Sequence, residues 1–163
     1  MDRVFVDTAA FIALQNRADQ YSVEAASFSR ELISSRVPMV TTNLVLAETY
    51  AWLQRHPAAG YGAALAFHRW FGELSSMGTP EGASRAKRMK RRLVEAAGER
   101  RPISLLYADA SMDGEAWRFF TQHGASGATY TDCVSFAVMA MLGLKRAFTF
   151  DEHFAEAGFV RVP

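Results

Sequence analysis

Val4-Phe5-Val6-Asp7-Thr8 carries three apolar residues straight into a carboxylate. Ala147-Phe148-Thr149-Phe150-Asp151 repeats the pattern near the other end of the chain. Short apolar runs bounded by polar residues read as buried strands. An ionised acid in apolar surroundings is costly unless hydrogen bonds or a cation compensate it. Two more acids stand in comparable places. Leu44-Val45-Leu46-Ala47 carries Glu48, and Thr129-Tyr130-Thr131-Asp132 opens the most hydrophobic helix candidate of the chain. Four such carboxylates from distant segments point to a shared cation, most simply a divalent metal.

Between these landmarks the patterning alternates. Residues 3–7 read as a strand followed by a helix over 9–15. Residues 21–34 have helical spacing, with Val23, Ala26, Phe28, Leu32 and Ile33 as apolar positions. A second strand is expected over 37–41, and Thr42 or Asn43 can cap a helix running to about Arg55, before Pro57. Residues 61–74 read as a helix whose core face is Leu65, Phe67, Trp70 and Phe71. A third strand is expected over 103–107. Asp109 can cap a helix to about His123, and Gly124-Ala-Ser-Gly127 is a turn. A helix over 130–144 and strands over 146–149 and 158–162 complete the chain. Short strands alternating with helices predict an α/β fold with a parallel sheet. In such sheets functional groups collect at the carboxyl ends of strands, which is where Asp7 and Asp151 fall.

The 163 residues suit one domain with a full core, and half of them are hydrophobic. The longest strongly apolar run, residues 136–144, is far short of the roughly 18 residues a membrane span needs. No signal-like apolar region is read at the N-terminus. Cys133 stands alone, so no internal disulfide is expected, and a reducing cytoplasm is the expected compartment. The net charge of +1 hides an asymmetry. Residues 85–101 hold eight Lys/Arg against Glu95 and Glu99, a local +6, which leaves −5 for the rest. Contact with a polyanion is one reading of such a division.

Each acid also has a plainer reading. Asp7 can cap the helix that follows it, Thr129-x-x-Asp132 resembles a capping box, and Asp151 can cap a short helix around His153. Glu48 resists that explanation. Leu44 and Trp52 lie four residues to either side of it on one helix face, so a salt bridge to an arginine is its remaining structural role. Asp109 and Asp113 fit a cap and a first helical turn. The histidines, His56, His68, His123 and His153, show no zinc spacing, and Cys133 reads as a small buried residue. A carboxylate set without cysteine or histidine partners suits Mg²⁺ or Mn²⁺.

In this order these residues resemble the PIN-domain ribonucleases, most closely the VapC-type toxins of toxin–antitoxin pairs. The resemblance rests on Val4-Phe5-Val6-Asp7-Thr8, on Thr41-Thr42-Asn43-Leu44-Val45-Leu46-Ala47-Glu48-Thr49, and on two C-terminal motifs. These are Thr131-Asp132-Cys133-Val134-Ser135-Phe136-Ala137-Val138-Met139 and Ala147-Phe148-Thr149-Phe150-Asp151-Glu152-His153-Phe154. It covers nearly the whole chain. It implies a three-layer α/β/α sandwich with a mainly parallel sheet, and a single domain over 1–163. By position, Asp7, Glu48, Asp132 and Asp151 would form the acidic quartet that binds Mg²⁺ or Mn²⁺ and hydrolyses RNA. Thr8, Thr131 and Thr149 would orient carboxylates or waters around it. A small antitoxin partner and a homodimer are implied as well, the latter through helices within 21–34 and 47–71.

Residues 75–101 depart from the resemblance, because compact relatives connect this region more briefly. Arg85, Lys87, Arg88, Lys90, Arg91 and Arg92 on a basic helix candidate could contact RNA phosphates. The same segment could be a solvated insertion, or a dimer or antitoxin contact. The main alternative function is a non-catalytic PIN-like module for RNA or protein binding, against which the full quartet argues. A phosphatase of the haloacid-dehalogenase type would need a second acid two residues after Asp7, where Ala9 stands.

Overall fold

The computed structural model describes residues 3–56, 59–75 and 101–163. Five strands form one parallel sheet: β1 (Val4–Val6), β2 (Met39–Thr42), β3 (Ile103–Leu106), β4 (Arg146–Phe148) and β5 (Val160–Val162). Their spatial order is β3-β2-β1-β4-β5. Every residue of β1 and β2 is buried. Parallel strands covered on both faces require this, and it explains why they read as continuous apolar runs. β5 lies at the sheet edge with Val160 and Arg161 exposed.

The helices are α1 (Thr8–Gln15), α2 (Ser22–Ser34), α3 (Asn43–Arg55), α4 (Gly60–Leu74), α5 (Ala110–His123), α6 (Tyr130–Leu142) and the short α7 (His153–Glu156). Two aromatic clusters bind them down. On α1, the Phe11 ring meets Phe67 and Phe71 of α4 edge-on, with centroids 5.4 and 5.8 Å away. On α6, Phe136 meets Phe119 of α5 at 5.6 Å and Phe154 of α7 at 4.9 Å. Helix α6 is buried without a break from Asp132 to Met139, so it is apolar all round rather than striped. It stops at Gly143, whose φ of +65° is the left-handed conformation that ends helices.

Among the described residues the expected elements are present, with shifted faces and ends. Helix α2 buries Ala25, Ser29 and Leu32, while Val23 is 81% exposed and Ile33 lies at the surface. Leu65 is also exposed, so the core face of α4 is carried by Ala64, Phe67 and Phe71. Apolar spacing alone does not say which side of a helix meets the sheet. Thr42 is the cap of α3, its hydroxyl accepting the Val45 amide at 3.2 Å. The expected basic helix, with Arg85, Lys87, Arg88, Lys90, Arg91 and Arg92, lies outside the described residues.

Strand order reverses between β1 and β4, the two strands that carry Asp7 and Asp151 beyond their ends. A crevice outside the strand ends is expected at such a switch point. Phe11 is the residue that seats α1 beside it. Phe11→Ala is expected to cost about 3–5 kcal/mol of unfolding free energy in a urea titration. A loss under about 1 kcal/mol would mean that the α1–α4 cluster does not anchor the helix.

Candidate active site

Asp7 is the residue between β1 and α1 and caps that helix. Its Oδ2 accepts the Ala9 amide at 3.3 Å and the Thr149 hydroxyl at 2.8 Å. Its Oδ1 is buried and has no hydrogen-bond partner among the described residues. Thr149, just past β4, also accepts the Asp151 amide at 3.0 Å, so one hydroxyl connects two of the four acids. Glu48 lies on α3 and its Oε2 accepts the Thr8 hydroxyl at 2.7 Å. Among the described residues this bond, and no arginine, is its polar contact.

Asp132 completes a capping box with Thr129: its Oδ2 accepts the Thr129 amide at 2.7 Å and hydroxyl at 2.8 Å. Asp151 turns its Oδ1 to the His153 amide at 2.9 Å and to His153 Nδ1 at 2.7 Å. Capping and site roles are therefore compatible. For Asp7, Asp132 and Asp151 the local bonds all fall on one carboxylate oxygen, and the second oxygen takes none of them. Ligand atoms of Asp132, Asp151 and His153 lie within 4.8 Å of one another.

The hydroxyl that holds Asp132 is that of Thr129, as the capping-box spacing indicates. His153 joins the cluster although its spacing fits no zinc motif. The Asp-x-His spacing of 151–153, which lets the ring fold back on the carboxylate, was the available signal. Asp113 receives the Tyr130 hydroxyl, and Asp109 caps α5. Cys133 is buried, and that burial pushes its thiol up to about 11, which suits an inert packing residue.

The electrostatics follow from crowding. Burial, then the charge of Asp132, raises Asp7 to about 7, against the opposing bonds from Thr149 and the Thr8 and Ala9 amides. Burial also raises Glu48, with Asp132 and Asp151 adding to it and the Thr8 bond opposing. Asp132 is raised by burial and by Asp151, while the Thr129 bonds and His153 pull it down. His153 is raised: burial lowers it, but the Ser126 carbonyl and Asp151 outweigh that. A buried carboxylate oxygen without a donor, among acids that repel one another, is the environment an oxygen-loving divalent cation relieves. The all-oxygen set of Asp7, Glu48, Asp132 and Asp151 fits such a cation.

A folded-state value above the ordinary 3.8 means that the native protein holds the Asp7 proton longer than the unfolded chain does. Stability of the metal-free protein therefore falls as pH rises from about 4 to about 7 and levels off above that. Asp7→Asn keeps a cap acceptor and removes the charge. In chelator, its melting temperature should match wild type near pH 4 and exceed it at pH 8 by roughly 5 °C or more. An equal difference at both pH values would show that Asp7 is not the group responsible.

The PIN domain family matches this chain over residues 4–160. The 23S rRNA-specific endonuclease VapC20 of Mycobacterium tuberculosis, in strains CDC 1551/Oshkosh and ATCC 25618/H37Rv, is 31% identical over 163 residues. That similarity covers 98% of this chain and 97% of the relative. The crystal structure of M. tuberculosis VapC20, described as a sarcin–ricin-loop-cleaving toxin, superposes with a TM-score of 0.68 at 28% identity and covers 98% of each chain. With its five-stranded parallel sheet and acidic cluster, the chain belongs to the PIN domain family, as a metal-dependent ribonuclease of the VapC type.

Proposed function

We propose that Asp7, Glu48, Asp132 and Asp151 form the hydrolytic centre of this endoribonuclease, and that Mg²⁺ or Mn²⁺ is its ion. The observation that carries the reading is the buried, unpartnered Oδ1 of Asp7 beside three further acids. When bound, the ion supplies Lewis-acid activation of water and neutralises charge on the phosphate oxygens. The chain's own residues supply placement. Thr149 fixes Asp7 and the Asp151 backbone, Thr129 fixes Asp132, and Thr8 fixes Glu48. Glu48 sits on a helix flank rather than at a strand end, with its carboxyl raised by burial, and serves as the base that takes a proton from the attacking water. Thr131 is kept as a further hydroxyl that orients a carboxylate or a water.

RNA is the substrate in this reading, and ribosomal RNA is the first to test, given that the similar M. tuberculosis protein is a 23S rRNA endonuclease. The protein acts as the toxin of a toxin–antitoxin pair, in the cytoplasm, with a small antitoxin that covers the acidic groove. No helix among the described residues is long and apolar enough to cross a membrane. Residues 1–163 are one domain, with 75–101 as an insertion whose lysines and arginines contact RNA phosphates. A homodimer is favoured by apolar side chains left exposed on α2 and α4, namely Val23, Ile33, Tyr61 and Leu65.

Purified protein should cut RNA containing the 23S sequence with Mg²⁺ or Mn²⁺ and stop in chelator. Asp7→Asn and Asp132→Asn should each lower kcat by at least about 100-fold while circular dichroism and melting remain those of a folded protein. Wild-type cleavage rates in both variants would sink the site assignment.

A further inference from the structure

The site reading uses four acids and leaves His153 without a task. Its ring is held on both sides. Nδ1 lies 2.7 Å from Asp151 Oδ1, and Nε2 lies 3.2 Å from the Ser126 carbonyl oxygen. Both ring nitrogens thus face an oxygen acceptor. The ring also has a made seat. Gly127 takes φ +112°, and a Cβ there would come 3.1 Å from Nε2 and 3.5 Å from Cε1. The seat is fixed in turn: the Ser126 hydroxyl donates to the His123 carbonyl at 2.8 Å, and the Gly127 amide to Gly124 at 3.2 Å. Beneath His153, the next residue Phe154 is fully buried against Phe136, so the helix that carries the ring is anchored in the core.

Asp151 needs such support. Asp7 is enclosed by the core, whereas the Asp151 side chain is 31% exposed. Its backbone is fixed by the Thr149 hydroxyl, but its carboxylate has His153 as its side-chain partner. Without the ring, the His153 amide at 2.9 Å would be the remaining local bond on the carboxylate, which would hold its orientation less firmly.

We propose that His153 is a positioning residue: its ring, braced against the Ser126–Gly127 turn, holds the Asp151 carboxylate beside Asp132. The proposal rests on the metal-site reading above and extends it to three residues, His153, Ser126 and Gly127, that lie outside the quartet. Groups that orient a ligand from behind are commonly worth one to two orders of magnitude in metal affinity.

The test is Mn²⁺ titration calorimetry on the intact protein, with RNA-cleavage kinetics alongside. His153→Ala should weaken Mn²⁺ binding by roughly 10–100-fold. It should lower kcat while KM for RNA stays within about twofold of wild type. His153→Asn, whose amide can donate to Asp151 in place of Nδ1, should recover most of the lost affinity. Gly127→Ala, with His153 still present, should reproduce part of the loss by displacing the ring. Wild-type Mn²⁺ affinity in His153→Ala would overturn the proposal, as would an Asn variant no better than Ala. Asp132→Asn separates the two levels of the reading. If it binds Mn²⁺ as wild type does, the metal site itself is wrong. If it loses Mn²⁺ while His153→Ala keeps it, only the positioning role fails.

Discussion

The Thr149 hydroxyl donates to Asp7 Oδ2 at 2.8 Å and accepts the Asp151 amide at 3.0 Å, tying together the ends of two parallel strands. The sheet register makes this possible. Val6 pairs with Phe148, so the residues that follow them, Asp7 and Thr149, leave the sheet side by side. Most of the site follows from that junction. Asp7 starts α1, whose second residue position supplies its capping amide and whose Thr8 reaches across to Glu48. Asp151 leads into α7, where His153 folds back on it. Asp132 arrives from α6, whose burial against α5 and α7 fixes where its first turn points.

Magnitudes decide whether this arrangement exists for stability. A helix cap contributes about 1 kcal/mol; Asp7 provides one, and Asp132 closes the capping box whose cap is Thr129. A buried charged oxygen without a partner costs more than the ~1–3 kcal/mol of a neutral unsatisfied group. Asp7 Oδ1 is such an atom, and it also faces the repulsion of Asp132. Asparagine or serine would cap α1, and glutamine would close the capping box of α6, without the repulsion. Caps alone therefore do not account for aspartate at both positions. The surplus negative charge has the character of a functional site, held in place by the packing around it.

Much of this was legible in the residues, for physical reasons that differ from place to place. The strands at 4–6, 39–42 and 146–148 announce themselves because strands buried on both faces are apolar throughout. Glu48 stood out because capping cannot explain an acid in mid-helix, and it does lie on a half-buried flank against Thr8. The face of α2 was not legible: Val23 and Leu32 have the same hydropathy class, and only the packed sheet decides that one is exposed and the other buried. The Thr129-x-x-Asp132 spacing marks Thr129 as the cap partner of Asp132, and the structure has that capping box. His153 escaped because zinc motifs ask for two or more histidines or cysteines, whereas here one imidazole meets a carboxylate two residues earlier.

The charges acting on Asp7, Glu48 and Asp132 are those of one another, of Asp151 and of His153. Of these only the imidazole can carry positive charge, and it already faces Asp151. A single positive ring cannot balance four carboxylates within a shared, partly buried volume. One remedy is internal: the crowded groups hold protons, as the raised Asp7 does. The other is a divalent ion, which replaces those protons and turns mutual repulsion into shared coordination. The two remedies compete for the same oxygens, so metal affinity should weaken as pH falls. That competition ties the stability of the empty site to the strength of the occupied one. The repulsion that makes Asp7 hold a proton in one state is the attraction that a cation uses in the other.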